Sequence, residues 1–480
     1  MLNSKEPLKL LPPNNKKPPL ALVDGITLTV ERPLETFNRS DQDRGCFEFF
    51  RGKTVHKIFH CLDEVFWNDL LLQLSQTEPT TWHSLLAFAS AVESQTVGET
   101  DNQLPVVTRQ FSLTHYTRAI GLLTTRITHS KPNIEVLLTN CYLFFALEMI
   151  LGNVESAITQ LQGGIQLIRS WRKTSQNQPN IYIDNVFAPM FSTMITCAFL
   201  YGRTVPLTTK FPTEPIIPDP DIFESPQTAI LSYSQLASDF LQSAREFEIY
   251  KFNNELDDYD VYLAQKHKRT ISARFGDWAA RFKSVIHKCN PSGLSGVKLQ
   301  DVSVMNAGWK LVTICIAHKF DQEETVYDAH VSIYEEAIEV IRRLCEERYI
   351  TNTPQRTSLD SPFLMTHFIR TYLVATKCRN PQIRREALLF LKTFPFGGRW
   401  NAAFWNARMM ATVAERAIEI EEEGLEHLRD ETGAIVPSEW ARIHEICVLP
   451  DLGNDSKRRL VQFRRRIEGN WVLTQEWFVV

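Results

Sequence analysis

The sequence predicts an all-α fold: a multi-helix array of antiparallel helical hairpins, closed by a small C-terminal β-meander. Three observations carry this. Apolar residues recur at three- and four-residue spacing through most of the chain, the signature of helices with one buried face. Breaks such as His129-Ser130-Lys131-Pro132 and Gly152-Asn153 leave turns so short that successive helices must run antiparallel. After residue 431 the pattern becomes β-leaning, with turn residues between the runs.

At 480 residues the chain is long enough for roughly three domains of about 150 residues. The formal net charge of −4 gives no whole-chain attraction to nucleic acid, which weighs against autonomous DNA binding. The N-terminus has prolines and lysines where a signal peptide needs an unbroken apolar run. The nine cysteines are never closer than 15 residues, so none forms the short C-x-x-C step of a structural zinc site. Reduced core thiols are the reading that follows.

Residues 1–40 read as a Pro/Lys-rich linker, with Pro12-Pro13 and Pro18-Pro19 bracketing Asn14-Asn15-Lys16-Lys17. Residues 41–205 read as a first helical part. Leu113, Tyr116, Ile120, Leu123 and Ile127 predict one helix face. Ile134 to Leu151 is apolar on nearly every side and is read as a central helix. It is shorter than the roughly 20 residues of a membrane span and carries Asn140 and Glu148. Val154, Ile158, Leu161, Ile165, Ile168 and Trp171 give the next stripe. Residues 206–226 hold prolines at 206, 212, 215, 218, 220 and 226, too dense for helix, and form a loop. Residues 227–430 return to helical patterning, with Glu339 and Arg343 as an outward i,i+4 pair. Residues 431–480 are the β-leaning tail, with a two-residue turn placed at Gly469-Asn470.

Several motifs follow one another in an order that identifies a family. Glu48-Phe49-Phe50 precedes Phe66-Trp67, then Gln73 through Pro79 in the form Q-x-S-x-x-E-P, then an alanine-rich apolar run from Trp82 to Ala91. Ala119 to Leu123, Leu143 to Leu151 and Leu167-Ile168-Arg169-Ser170-Trp171-Arg172 continue the series. A weaker echo follows at Phe394 to Trp400 and at Ile420-Glu421-Glu422-Glu423-Gly424, with the turn altered and an expected glutamate replaced by glycine. The chain resembles the fungal-specific regulatory domain of binuclear, six-cysteine zinc-cluster transcription factors, without the N-terminal cluster. The resemblance implies a nuclear transcription regulator whose partners are the transcription machinery or other regulators, including a second copy as a homodimer. DNA would be reached only through a cluster lying upstream. No cofactor is expected in this chain, zinc entering only with that cluster, and no membrane. A clusterless co-regulator or protein–protein scaffold with no DNA role is the alternative, and an enzyme in a helical fold is the third reading.

Motifs for chemistry are sparse. Gly52-Lys53-Thr54 lacks the four-residue spacing and preceding strand of a phosphate loop. His56, His60 and Cys61 are half a ligand set. Glu415, Glu419, Glu422 and Glu426 form an acidic stripe opposite Phe404, Ala411, Ala414 and Ile418, read as a solvated face with partner docking as the alternative. Lys457, Arg458, Arg459, Arg464, Arg465 and Arg466 are the candidate nuclear-import or phosphate-contacting patch. On a strand these arginines would point to both faces and form no single stripe. No catalytic or metal-binding residue is assigned. The reading rests on helices offering contact surfaces, and a deep polar cleft of converging ionisable groups would contradict it.

Overall fold

The computed structural model describes residues 39–54, 65–97, 104–129, 132–175, 180–200, 221–223, 228–229, 232–233, 235–237, 239–240, 251–252, 258–289, 296–318, 321–351, 365–393, 407–425, 427, 435–449 and 458–479. All of the linker but its last two residues, most of the proline-rich loop, His56-His60-Cys61, Phe404, Glu426, Lys457 and the Phe394–Trp400 turn lie outside the described residues.

Helix α1 (Asp41–Phe49) starts at a capping box: Ser40 Oγ accepts from the Asp43 backbone N–H at 3.1 Å, and Asp43 Oδ2 accepts from that of Ser40 at 3.2 Å. It runs on as a π-helical turn, Phe50–Thr54, which places Gly52-Lys53-Thr54 in helix rather than in a phosphate loop. A second π-turn (Phe66–Leu70) leads into α2 (Leu71–Thr77) and α3 (Pro79–Val97). Every side chain of α3 from Thr80 to Val92 is buried, because α1, α2, α4 (Leu104–His129) and α5 (Ile134–Leu151) pack around it. Phe50, Phe66, Trp67, Phe88 and Tyr142 make the aromatic centre, mostly in edge-to-face contacts.

Contrary to the length argument made from the sequence, the 18 residues of α5 are long and apolar enough to cross a membrane, yet 72% of the helix is buried inside the fold. Two of its polar residues, Asn140 and Glu148, are met from within. Asn140 donates to Thr81 Oγ1 and the Val136 carbonyl and accepts from Ser84, while Glu148 accepts from Tyr116 and Asn153. Gly152, at φ +86°, ends the helix in the left-handed conformation, as its sequence position suggested. α6 (Val154–Thr174) buries Ala157, Ile158, Leu161, Ile165 and Ile168 and packs on α5 and on α7 (Ala188–Leu200).

One stripe is rotated from its expected place. Leu113, Ile120 and Ile127 of α4 are exposed, and the packed face is instead Ser112, His115 and Ala119. These smaller side chains let α4 lie close on α3, where Ser112 donates to the Ala87 carbonyl at 2.7 Å and His83 meets His115.

The second half comprises α8 (Asp258–Cys289), α9 (Gly296–His318), a 3₁₀ turn (Glu324–His330), α10 (Val331–Thr351), α11 (Met365–Lys377), α12 (Pro381–Thr393) and α13 (Ala407–Glu422). Helices α9 to α13 share a core of Leu311, Tyr334, Ile338, Val374, Ala387 and Ala414. The outward Glu339–Arg343 pair forms at 2.7 Å. A three-stranded antiparallel sheet follows, ordered β1 (Ile443–Val448), β2 (Arg458–Ile467), β3 (Asn470–Val479), with Val461, Phe463 and Phe478 packed on α13. The β2–β3 turn sits one residue earlier than expected. Its central pair is Glu468-Gly469, both at positive φ (50° and 80°), so that Ile467 pairs with Asn470. A two-residue hairpin loop of this kind matches the right-handed twist of its strands.

Candidate functional site

Charged residues are rarely buried unless paired, so the densest buried ionic cluster is the natural candidate site. It lies where the 3₁₀ turn, the α11–α12 connection, the end of α13 and β1 converge. Helical phase places two of its members. Glu421 falls three residues after Ile418 on the buried 411–414–418 stripe of α13, and Arg384 begins the 384–387–391 stripe of α12. Both are therefore carried into the interior.

Glu421 accepts from Arg379 Nη2 and Arg384 Nη2, each at 2.8 Å, and from the Ile443 backbone N–H at 2.7 Å. Arg379 also reaches Glu324 at 3.3 Å. Glu324 collects Lys377 at 2.8 Å and Lys251 at 3.6 Å, with His444 Nδ1 at 3.9 Å. Glu439 accepts from the Glu324 and Thr325 backbone N–H groups at 2.9 Å and lies 3.0 Å from His444 Nε2. Arg442 forks onto Asp328 at 2.8 and 2.7 Å. The side chains of Glu324, Arg379, Arg384, Glu421 and His444 are 0–1% exposed.

Burial alone would push the Glu324 carboxyl upward, but Lys377, Lys251 and Arg379 outweigh it and hold it well below the ordinary carboxylate range. Glu421 is likewise driven up by burial and, more strongly, down by Arg379 and Arg384. Glu439 falls to about 2, burial being overcome by His444 and two backbone N–H groups. Burial keeps His444 below its usual value, hence neutral near pH 7, in spite of Glu439. A carboxylate shared among cations in this way is a poor proton acceptor. Ionisable groups do converge at bonding distance, but as a compensated knot inside the fold. Its evident task is to clamp the tail onto the helices. Among the described residues no group of three or more His, Cys, Asp or Glu side chains is placed to hold a metal.

The basic patch is split by its strand. Arg458, Arg464 and Arg466 alternate with Arg459 and Arg465 along β2, and the second set shares a face with Val461 and Phe463. The Arg464 guanidinium lies 4.0 Å over the Phe252 ring with Nε 3.2 Å from Glu445, and Arg466 lies 5.7 Å over Trp471. The acidic stripe of α13 is also engaged: Glu415 pairs with Lys392, Glu419 with Arg416 at 3.0 Å and Glu422 with Arg385 at 2.7 Å.

Sequence reasoning missed the ionic knot. The available signal was a charged residue at an apolar-stripe position, as for Glu421 and Arg384.

Residues 47–253 match the family described as the fungal specific transcription factor domain. The match starts within the aromatic Phe47-Glu48-Phe49-Phe50 run and ends two residues past Lys251, so the rest of the ionic knot lies beyond it. No curated protein and no solved structure matches the chain.

Proposed function

We propose that the chain carrying this fungal transcription factor domain is the regulatory, effector-side region of a transcription regulator of the zinc-cluster class, working in the nucleus through macromolecular contact rather than catalysis. The family match over residues 47–253 is the observation that carries this. The interior charges support the contact reading, since each described carboxylate of the knot is held by cations or backbone N–H groups rather than left poised for proton transfer. Residues 258–480 continue the regulatory region as a second helical layer with its β tail. DNA is reached only through a cluster outside this sequence, because the cysteine spacing here makes none.

The test is tethering. The full chain fused to an unrelated sequence-specific DNA-binding module is expected to change a reporter several-fold in either direction, and the untethered chain to accumulate in nuclei. In fluorescence anisotropy at physiological salt, the chain alone is expected to show no nanomolar preference for any duplex. An inert, cytosolic fusion would defeat the regulatory reading. Tight sequence-specific binding by the isolated chain would defeat the contact-only part of it.

A further inference from the structure

Strand β3 is the edge of the sheet, and among the described residues no strand pairs with its far side. Soluble proteins blunt such edges with lysines, prolines, bulges or short length. β3 has none of these. It runs ten residues, contains no proline, and pairs with β2 in unbroken register from Arg458–Val479 to Ile467–Asn470. Its one charged side chain, Glu476, is bound by Arg416 at 2.9 Å on the α13 side. The opposite face leaves Leu473 43%, Trp477 64% and Val479 74% exposed.

The strand is also close to a palindrome in polarity. Trp471-Val472-Leu473 is followed by Thr474-Gln475-Glu476 and then Trp477-Phe478-Val479. We propose that a second copy of this chain docks here, edge to edge and antiparallel, with Gln475 on the two-fold axis. In that register Leu473 lies opposite the partner's Trp477, Val472 opposite the partner's Phe478, and Trp471 opposite the partner's Val479. Such self-complementarity is what an isologous interface requires.

Charge points the same way. Glu476 meets the partner's Thr474, so no like charges are opposed, and the arginine-bearing β2 strands stay three strand spacings apart, roughly 14 Å. An acidic extended peptide is the competing occupant. It would find Arg464 and Arg466 already laid on Phe252, Glu445 and Trp471. The contact is smaller than the roughly 1,200–2,000 Å² of tight complexes, which sets the dimer in the micromolar range.

Sedimentation velocity on the full chain from about 1 to 100 µM is expected to show a reversible dimer. Trp477→Lys and Leu473→Glu should each weaken it about tenfold or more, with unchanged circular dichroism. An equimolar mixture of the two variants should recover a dimer, because the new lysine of one meets the new glutamate of the other. That recovery is specific to the Gln475-centred register. A wild-type monomer throughout the range overturns the proposal, including one that holds an acidic peptide on this edge. So does a dimer indifferent to both substitutions, or a mixture no tighter than either variant alone.

Discussion

Arg379 Nη2 and Glu421 Oε1 meet at 2.8 Å with side chains 0% and 1% exposed, joining the α11–α12 connection to the end of α13 with no water-facing surface on either group. Pairs of this kind gain little over an apolar isostere, but breaking one strands its partners. Glu421 has two guanidinium partners, so Glu421→Gln leaves both under-compensated. The expected loss is about 3–5 kcal/mol in urea unfolding near pH 7. The surface pair Arg385–Glu422, cut by Arg385→Ala, should cost less than about 1 kcal/mol. Equal losses for the two variants would mean the interior knot contributes nothing special.

Acid should act in two steps. His83 and His115 touch through Nδ1 at 2.8 Å, and burial, then His115 and Arg118, push His83 from 6.5 down to about 4 against the pull of Asp43. Between those values the unfolded chain takes up a proton that the folded chain refuses, so this contribution is complete above pH 6.5 and falls as pH drops toward 4. It amounts to about 3 kcal/mol. The depressed carboxylates act lower. Glu439 contributes fully above its ordinary 4.5, and its share is lost as pH falls to about 2. Melting temperature followed from pH 8 to 3 should begin to fall near 6.5, and His83→Phe should shrink that upper step, to which the depressed His444 and His115 also contribute, while leaving the lower one in place. A profile level down to pH 5 would contradict the assignment.

Neighbouring glycines on α6 give an internal control. A Cβ at Gly164 would stand 2.1 Å from Cε1 of the buried Phe191, whereas one at Gly163 would meet nothing within 4 Å. Gly164→Ala should therefore destabilise by about 1–3 kcal/mol through overpacking. Gly163→Ala should be neutral or stabilising by up to about 1 kcal/mol, since alanine is the better helix former. The two thermal melts decide whether α6 and α7 pack at the separation described.

The readable parts of this chain were those fixed by local rules. Gly152 ends α5 because glycine adopts positive φ without strain, and the paired strands of the tail follow from alternation around turn residues. The unreadable parts were decided by tertiary choice. Periodicity shows that α4 has an apolar stripe but cannot say that Ser112 and Ala119, being small, would win the contact with α3 and leave Ile120 in solvent. The ionic knot joins residues as far apart as Lys251, Glu324, Arg379 and Glu421, and no window of sequence brings them together. The motif order that carries the family resemblance was legible because it is local. The knot lies largely outside the family's matched span and had no motif to announce it.

The tail is tied to the helices by geometry as well as charge. Arg442, 3% exposed, donates through Nη1 and Nη2 to the two oxygens of Asp328 at 2.8 and 2.7 Å, and through Nε to the Pro437 carbonyl at 2.9 Å. Only a planar guanidinium supplies three donors in that fork, and a lysine ammonium keeps the charge while losing the shape. Arg442→Lys should thus cost about 1–3 kcal/mol. The damage should concentrate at the junction: hydrogen exchange ought to rise in β1 and the Glu324–His330 turn while α3 and α5 stay protected. Conservative behaviour, with both stability and β1 exchange unchanged, would show that charge alone holds the tail in place.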